Sequence, residues 1–168
     1  MTMDIIDKRI YSCNEAICKN IESLQANERG LLSQNILSQL RNFLECVFLK
    51  IYVASGNSLI ENEYQNIKNA IKFINTLQGK YRFLNQFHKL LQISVSHYTL
   101  DPDSSERLML KYYEYLLRIK TFMKDNYEIE LLENLHKFPL NTDTAFTQYY
   151  EAIEKVLENK AVIARKTI

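Results

Sequence analysis

The sequence predicts an all-α fold, an up-and-down bundle of about five to seven helices. Three observations carry that expectation. Only three glycines and two prolines occur in 168 residues, against ordinary usage of about 7% and 5%, so little interrupts the backbone. Apolar residues recur at spacings of three and four along most of the chain, which gathers them on one side of a helix. The stretch Leu31 to Ala54 shows this most clearly. At about 100° per residue it places Ile36, Leu37, Leu40, Phe43, Leu44, Val47, Phe48 and Ile51 on one continuous arc that must face a core.

Composition bounds what the chain can be. Residues 1–168 are expected to form a single domain, long enough to bury a core without covalent staples. Hydrophobic residues at 46% with 24% charged are ordinary for a soluble chain. A formal net charge of +1 supplies no global basic field, so any contact with nucleic acid has to be local. Cys13, Cys18 and Cys46 are odd in number, form no Cys-x-x-Cys pair and sit in helical patterns. They are read as reduced thiols of an intracellular, cytoplasmic protein. No run approaches the ~18 apolar residues of a membrane span, and the N-terminus lacks a signal-peptide core, so no membrane partner is expected.

Taken in order, Ile6, Ile10, Cys13, Ile17, Ile21 and Leu24 predict a first helix from about Asp4 to Gln25, broken at Asn27 to Gly30. The second helix, Leu31 to Ala54, ends at the turn Ser55-Gly56-Asn57-Ser58. A third from about Leu59 to Leu77 carries Ile60, Tyr64, Ile67, Ile71, Ile74 and Leu77 as its stripe. After a break at Gly79, a fourth runs from Lys80 to Val95 with Tyr81, Leu84, His88, Leu91 and Val95. His88 on that stripe is expected to be a packed side chain with one partner, because a lone histidine without an orienting group rarely does chemistry. Asp103 and Glu106 read as a capping box that starts a fifth helix, Ser104 to Asp125. A short helix at Ile129 to His136 precedes Phe138-Pro139-Leu140, and Asn141 to Asp143 open a last helix. The chain stops at Ile168 with no helix-stop signal, which fits a fragment of a longer protein better than a natural end.

The side of the second helix away from its apolar arc is polar but barely charged: Gln34, Asn35, Ser38, Gln39, Arg41, Asn42, Glu45, Cys46 and Lys50. Faces open to water fill with Lys and Glu. Amides and hydroxyls satisfy one another in a partly dehydrated contact. The face therefore suggests a self-associating surface, or a polar pocket around Arg41, with an amide-rich exposed face as the plainer alternative. Gln34, Asn35, Ser38, Gln39 and Glu45 are the candidate interface residues.

Within this helix, Arg41-Asn42-Phe43-Leu44-Glu45-Cys46 resembles the Arg-Asn-x-x-x-His motif of HEPN domains, small all-α modules of prokaryotic toxins, phage-defence proteins and RNA-processing enzymes. The resemblance implies a two-fold helix interface, hence a homodimer, at which Arg and His from two protomers cleave RNA without metal. It also implies a setting in defence or stress systems, often fused to other domains. Here Arg41 and Asn42 keep their places and Cys46 stands where the family has His. Arg41 suits the stabilisation of phosphorane charge. Cys46 suits proton transfer poorly, since an ordinary thiol titrates near about 8.5. The chain is therefore expected to be a non-catalytic, RNA-associated module, with metal-independent endoribonuclease activity through Arg41, Asn42 and Cys46, or a purely structural interaction domain, as the alternatives. Glu45, one turn after Arg41, is expected to pair with it.

Two further readings concern partners. Arg107, Lys111, Glu114 and Arg118 form a mostly basic stripe flanked by Tyr112, Tyr113 and Tyr115. Cations beside aromatics can hold single-stranded RNA, although a solvated face over half-buried tyrosines has the same pattern. Histidines at 88, 97 and 136 lack the spacing of a helical metal site, and no Gly-rich phosphate loop, HExxH or G-x-S-x-G string occurs. Neither a metal nor a cofactor is expected.

Overall fold

The computed structural model describes residues 3–23, 34–96 and 102–138. Five helices make up most of this: α1 (Met3–Ser23), α2 (Gln34–Ala54), α3 (Glu63–Thr76), α4 (Arg82–Ser96) and α5 (Pro102–Tyr127). Short 3₁₀ turns lie at Gly79–Tyr81 and Leu135–Lys137, and the described residues contain no strand. The all-α bundle expected from the sequence is the fold. No helix among the described residues is long and apolar enough to cross a membrane. Backbone contacts divide the chain into two compact units: of the described residues, 3–17 and 34–96 belong to the first, and 18–23 and 102–138 to the second.

The first unit is built around α2, against which both α3 and α4 pack. All eight residues of its predicted arc, Ile36 through Ile51, are buried, and each large one contributes about 1.5–3 kcal/mol on leaving water. Leu49 and Lys50 are buried as well, so α2 is enclosed beyond its apolar half. The Lys50 ammonium is satisfied by Asp7 of α1, with Nζ 2.6 Å from Oδ1. The helix ends where the sequence places a turn. Gly56 sits at φ +94°, and the N–H groups of Gly56 and Asn57 donate to the carbonyls of Val53 and Tyr52 at 3.0 and 3.3 Å. This is a Schellman termination, and its left-handed residue is one that carries no Cβ to clash.

α3 begins at Glu63, four residues after the expected start at Leu59, because two asparagines claim the preceding chain. Asn62 caps the helix by accepting from the Gln65 N–H at 3.1 Å. Asn66, 1% exposed, accepts from the Ile60 N–H at 2.9 Å and donates to the Ile60 carbonyl at 2.8 Å. That clamp holds residue 60 out of the helix. The buried stripe turns accordingly to Asn66, Ala70 and Ile74, and Ile60 and Tyr64, expected in the core, are exposed. The Ile74 carbonyl accepts from the Leu77 N–H at 3.0 Å and from the Asn85 side-chain amide of α4 at 3.0 Å, finishing the C-terminus of α3. α4 buries Phe83, Leu84, Phe87, His88 and Leu91.

In the second unit, α5 buries Tyr112, Leu116, Ile119 and Met123. It starts at Pro102, with proline in the first turn, so Asp103 lies inside the helix and is not its cap. It stops at Tyr127 because Glu128 turns left-handed, at φ 56°. The Glu128 N–H donates to the Lys124 carbonyl at 3.0 Å and the Ile129 N–H to the Met123 carbonyl at 3.3 Å, satisfying carbonyls of the last turn. A second left-handed residue, Leu132 at φ 57°, rules out the helix expected over Ile129 to His136; only the 3₁₀ turn Leu135–Lys137 remains. Lys120 donates to the Leu132 carbonyl at 3.2 Å, and Asn134 donates to the Cys18 carbonyl at 2.6 Å. The expected break at Asn27 to Gly30 and the last helix from Asn141 lie outside the described residues.

The Asn66 clamp gives a direct test. Asn66→Ala deletes two part-buried hydrogen bonds to the backbone of Ile60 and leaves a cavity at a buried position, which costs about 1–3 kcal/mol. Urea unfolding is expected to show a loss of that size for Asn66→Ala and a change within about 0.5 kcal/mol for the exposed Asn75→Ala.

Candidate functional site

Helices α1, α2 and α3 of the first unit border an open cleft of about 270 Å³ lined by Arg9, Ser12, Cys13, Asn42, Glu45, Cys46, Leu49 and Ile67. The α2 residues come from the polar side of its wheel, at positions 42, 45, 46 and 49. Those from α1 are 9, 12 and 13, one turn of helix. Cys13 and Cys46 both line the cleft, each shifting the acidity of the other, and neither is oxidised to a disulfide.

The Cys13 thiol is lowered to about 7, chiefly by its interaction with Cys46, with burial opposing and the Arg9 charge assisting. The Cys46 thiol is pushed up, by Cys13 and by burial. Arg9 is held over the cleft by Glu63 of α3, with Nη2 and Oε1 2.8 Å apart. Both of those side chains are largely exposed, so the pair positions the guanidinium more than it stabilises the fold.

The six-residue string is divided by the helix it lies on. Asn42 is exposed and Cys46 half-buried, and both line the cleft. Arg41 is half-buried, and its Nε, closed to solvent, has no hydrogen-bond partner. The expected Arg41–Glu45 pair does not form among the described residues. Glu45 faces α4 instead, with Oε1 3.8 Å from Nε2 of His88. That distance is too long for a hydrogen bond, and Nε2 has none. The His88 ring is packed, as its place on the apolar stripe predicts, at 5.4 Å from the Phe48 ring.

The remaining candidate residues are dispersed. Ser38 and Gln39 are half-buried on α2, and the side chains of Gln34 and Asn35 lie outside the described residues. In the second unit Lys111 is exposed and Arg118 half-buried, while the Arg107 side chain lies outside the described residues. Tyr112 and Tyr113 do not flank a basic stripe as stacking platforms. Both are buried, at 0% and 4% exposure, and the Tyr113 ring packs 5.8 Å from Phe138. Only Tyr115 is half-exposed.

Comparison with protein-family models, curated proteins and solved structures found no match to this chain. The signal that sequence reading missed is Cys13. It was placed on an apolar stripe by its spacing, yet it sits at the stripe's edge and meets a residue 33 positions away on the next helix.

Unlike acidities make the thiols separable in solution. With Cys13 titrating at about 7 and burial raising Cys18 above its ordinary value, alkylation by iodoacetamide is expected to reach half its maximal rate near pH 7 at Cys13 and at least one unit higher at Cys18. Mass-resolved alkylation from pH 5 to 10 checks this. A common midpoint for the two residues would contradict the arrangement.

Proposed function

We propose that this chain is a non-catalytic, HEPN-like helical module that associates with RNA and pairs with a second copy of itself along α2. The reading is supported by the unequal state of the string Arg41-Asn42-x-x-x-Cys46. Metal-free cleavage of RNA needs a cation for the developing phosphorane charge and groups that move protons at the 2′-hydroxyl and the leaving oxygen. Arg41 supplies the first. Its charge is permanent, and its side chain is half-buried on α2. The second is poorly supplied, because the Cys46 thiol is held protonated by Cys13 and by burial. With the cation present and proton transfer unsupported, the reading is association with RNA without cleavage.

Pairing between copies is assigned to the exposed Asn42 and the half-buried Ser38 and Gln39, with Gln34, Asn35 and Glu45 at its margins. The exposed Lys111 and the half-buried Arg118 of the second unit are weaker RNA contacts, of the sequence-independent kind that salt screens.

Single-stranded RNA oligonucleotides test the reading. The native chain is expected to bind them and leave them intact, and Arg41→Ala to weaken binding roughly tenfold, the equivalent of about 1.4 kcal/mol. Sedimentation at micromolar concentration is expected to give a dimer for the native chain and a monomer for Asn42→Lys. Cleavage of RNA by the native chain, or the absence of binding at low salt, overturns the proposal.

A further inference from the structure

We infer that Cys13 and Cys46 are a reversible dithiol–disulfide pair, the site at which hydroperoxides oxidise this protein. The inference is independent of any role in RNA binding. It rests on two free thiols that lie on different helices and line one open cleft, with Arg9 on the same wall. Neither is fully enclosed, so a small oxidant can enter the cleft without the helices parting. Cys18, one residue further round α1 than a full turn, is not part of the cleft lining.

Thiolate is the nucleophile in such reactions, and Cys13, one turn from the Arg9 guanidinium on the same cleft wall, is the one that carries it. Its sulfur attacks the nearer oxygen of the hydroperoxide and the O–O bond breaks. The departing hydroxide or alkoxide takes a proton from water, and Cys13 becomes a sulfenic acid. Cys46 then attacks the sulfenyl sulfur, the S–O bond breaks, and the hydroxide leaves with the Cys46 proton as water. In sum, two thiols and one hydroperoxide give one disulfide, one alcohol or water, and one water, with two electrons passing from the sulfurs to the peroxide. Glu45 and Asn42 line the same cleft, so closure of the bond draws α1 and α2 together beneath them.

The native chain, treated with one equivalent of hydrogen peroxide and digested without reductant, gives the test. Cleavage after Glu15 separates Cys13 from Cys18, so the linked pair can be read directly by mass spectrometry. The expected product is an intramolecular Cys13–Cys46 peptide, lost on adding dithiothreitol, with Cys18 still free to alkylate. In Cys46→Ser, Cys13 is expected to persist as a sulfenic acid that dimedone traps. The inference is overturned if peroxide leaves both thiols alkylatable in the native chain, if the linked peptide contains Cys18, or if the bond joins two chains.

Discussion

Helix α2 is enclosed beyond its apolar arc, and each polar group carried under with it has to meet a partner on a neighbouring helix. An ammonium taken out of water without a counter-charge is among the most costly groups a fold can hold, and the pairing of Lys50 with Asp7 at 2.6 Å removes that cost. α1 is thus registered on α2 by a polar contact, whereas α4 packs through its apolar side chains, with the Glu45 carboxylate 3.8 Å from the His88 ring nitrogen. The low charge of that face has a physical reason within the chain: part of it is covered by α1.

The matching is not complete. The Arg41 Nε and the His88 Nε2 are buried without hydrogen bonds among the described residues, a condition that costs about 1–3 kcal/mol per group. Cys13 and Cys46 face the same cleft, where each shifts the acidity of the other in the opposite direction.

Much of the helical framework was legible in the residues. The α2 arc, the Gly56 turn and the break at Gly79 follow from apolar spacing and from breakers. The errors lie where a side chain overrides periodicity. Ile60 and Tyr64 continue the α3 stripe on a wheel, yet Asn66 captures the backbone of Ile60 and the helix starts later. Ile129 to His136 have helical spacing, but Glu128 and Leu132 adopt left-handed backbone that no local pattern of charged and apolar residues announces. At the site, Arg41, Asn42 and Cys46 could be singled out from one helix alone. The meeting of Cys46 with Cys13 could not, since spacing within a helix carries no information about which turn of another helix lies opposite.

The hydrogen bond from Asn134 to the Cys18 carbonyl spans 116 positions of chain, and both residues belong to a unit assembled from one segment that lies between the two parts of the first unit and one that follows it. Closing so long a loop carries a larger entropic cost than closing the contacts among α2, α3 and α4, which are neighbours in sequence. During synthesis the first unit is therefore delivered while the second still lacks most of its residues. The early part of α1 can pack as soon as α2 to α4 have emerged, whereas the Cys18 carbonyl must wait for Asn134.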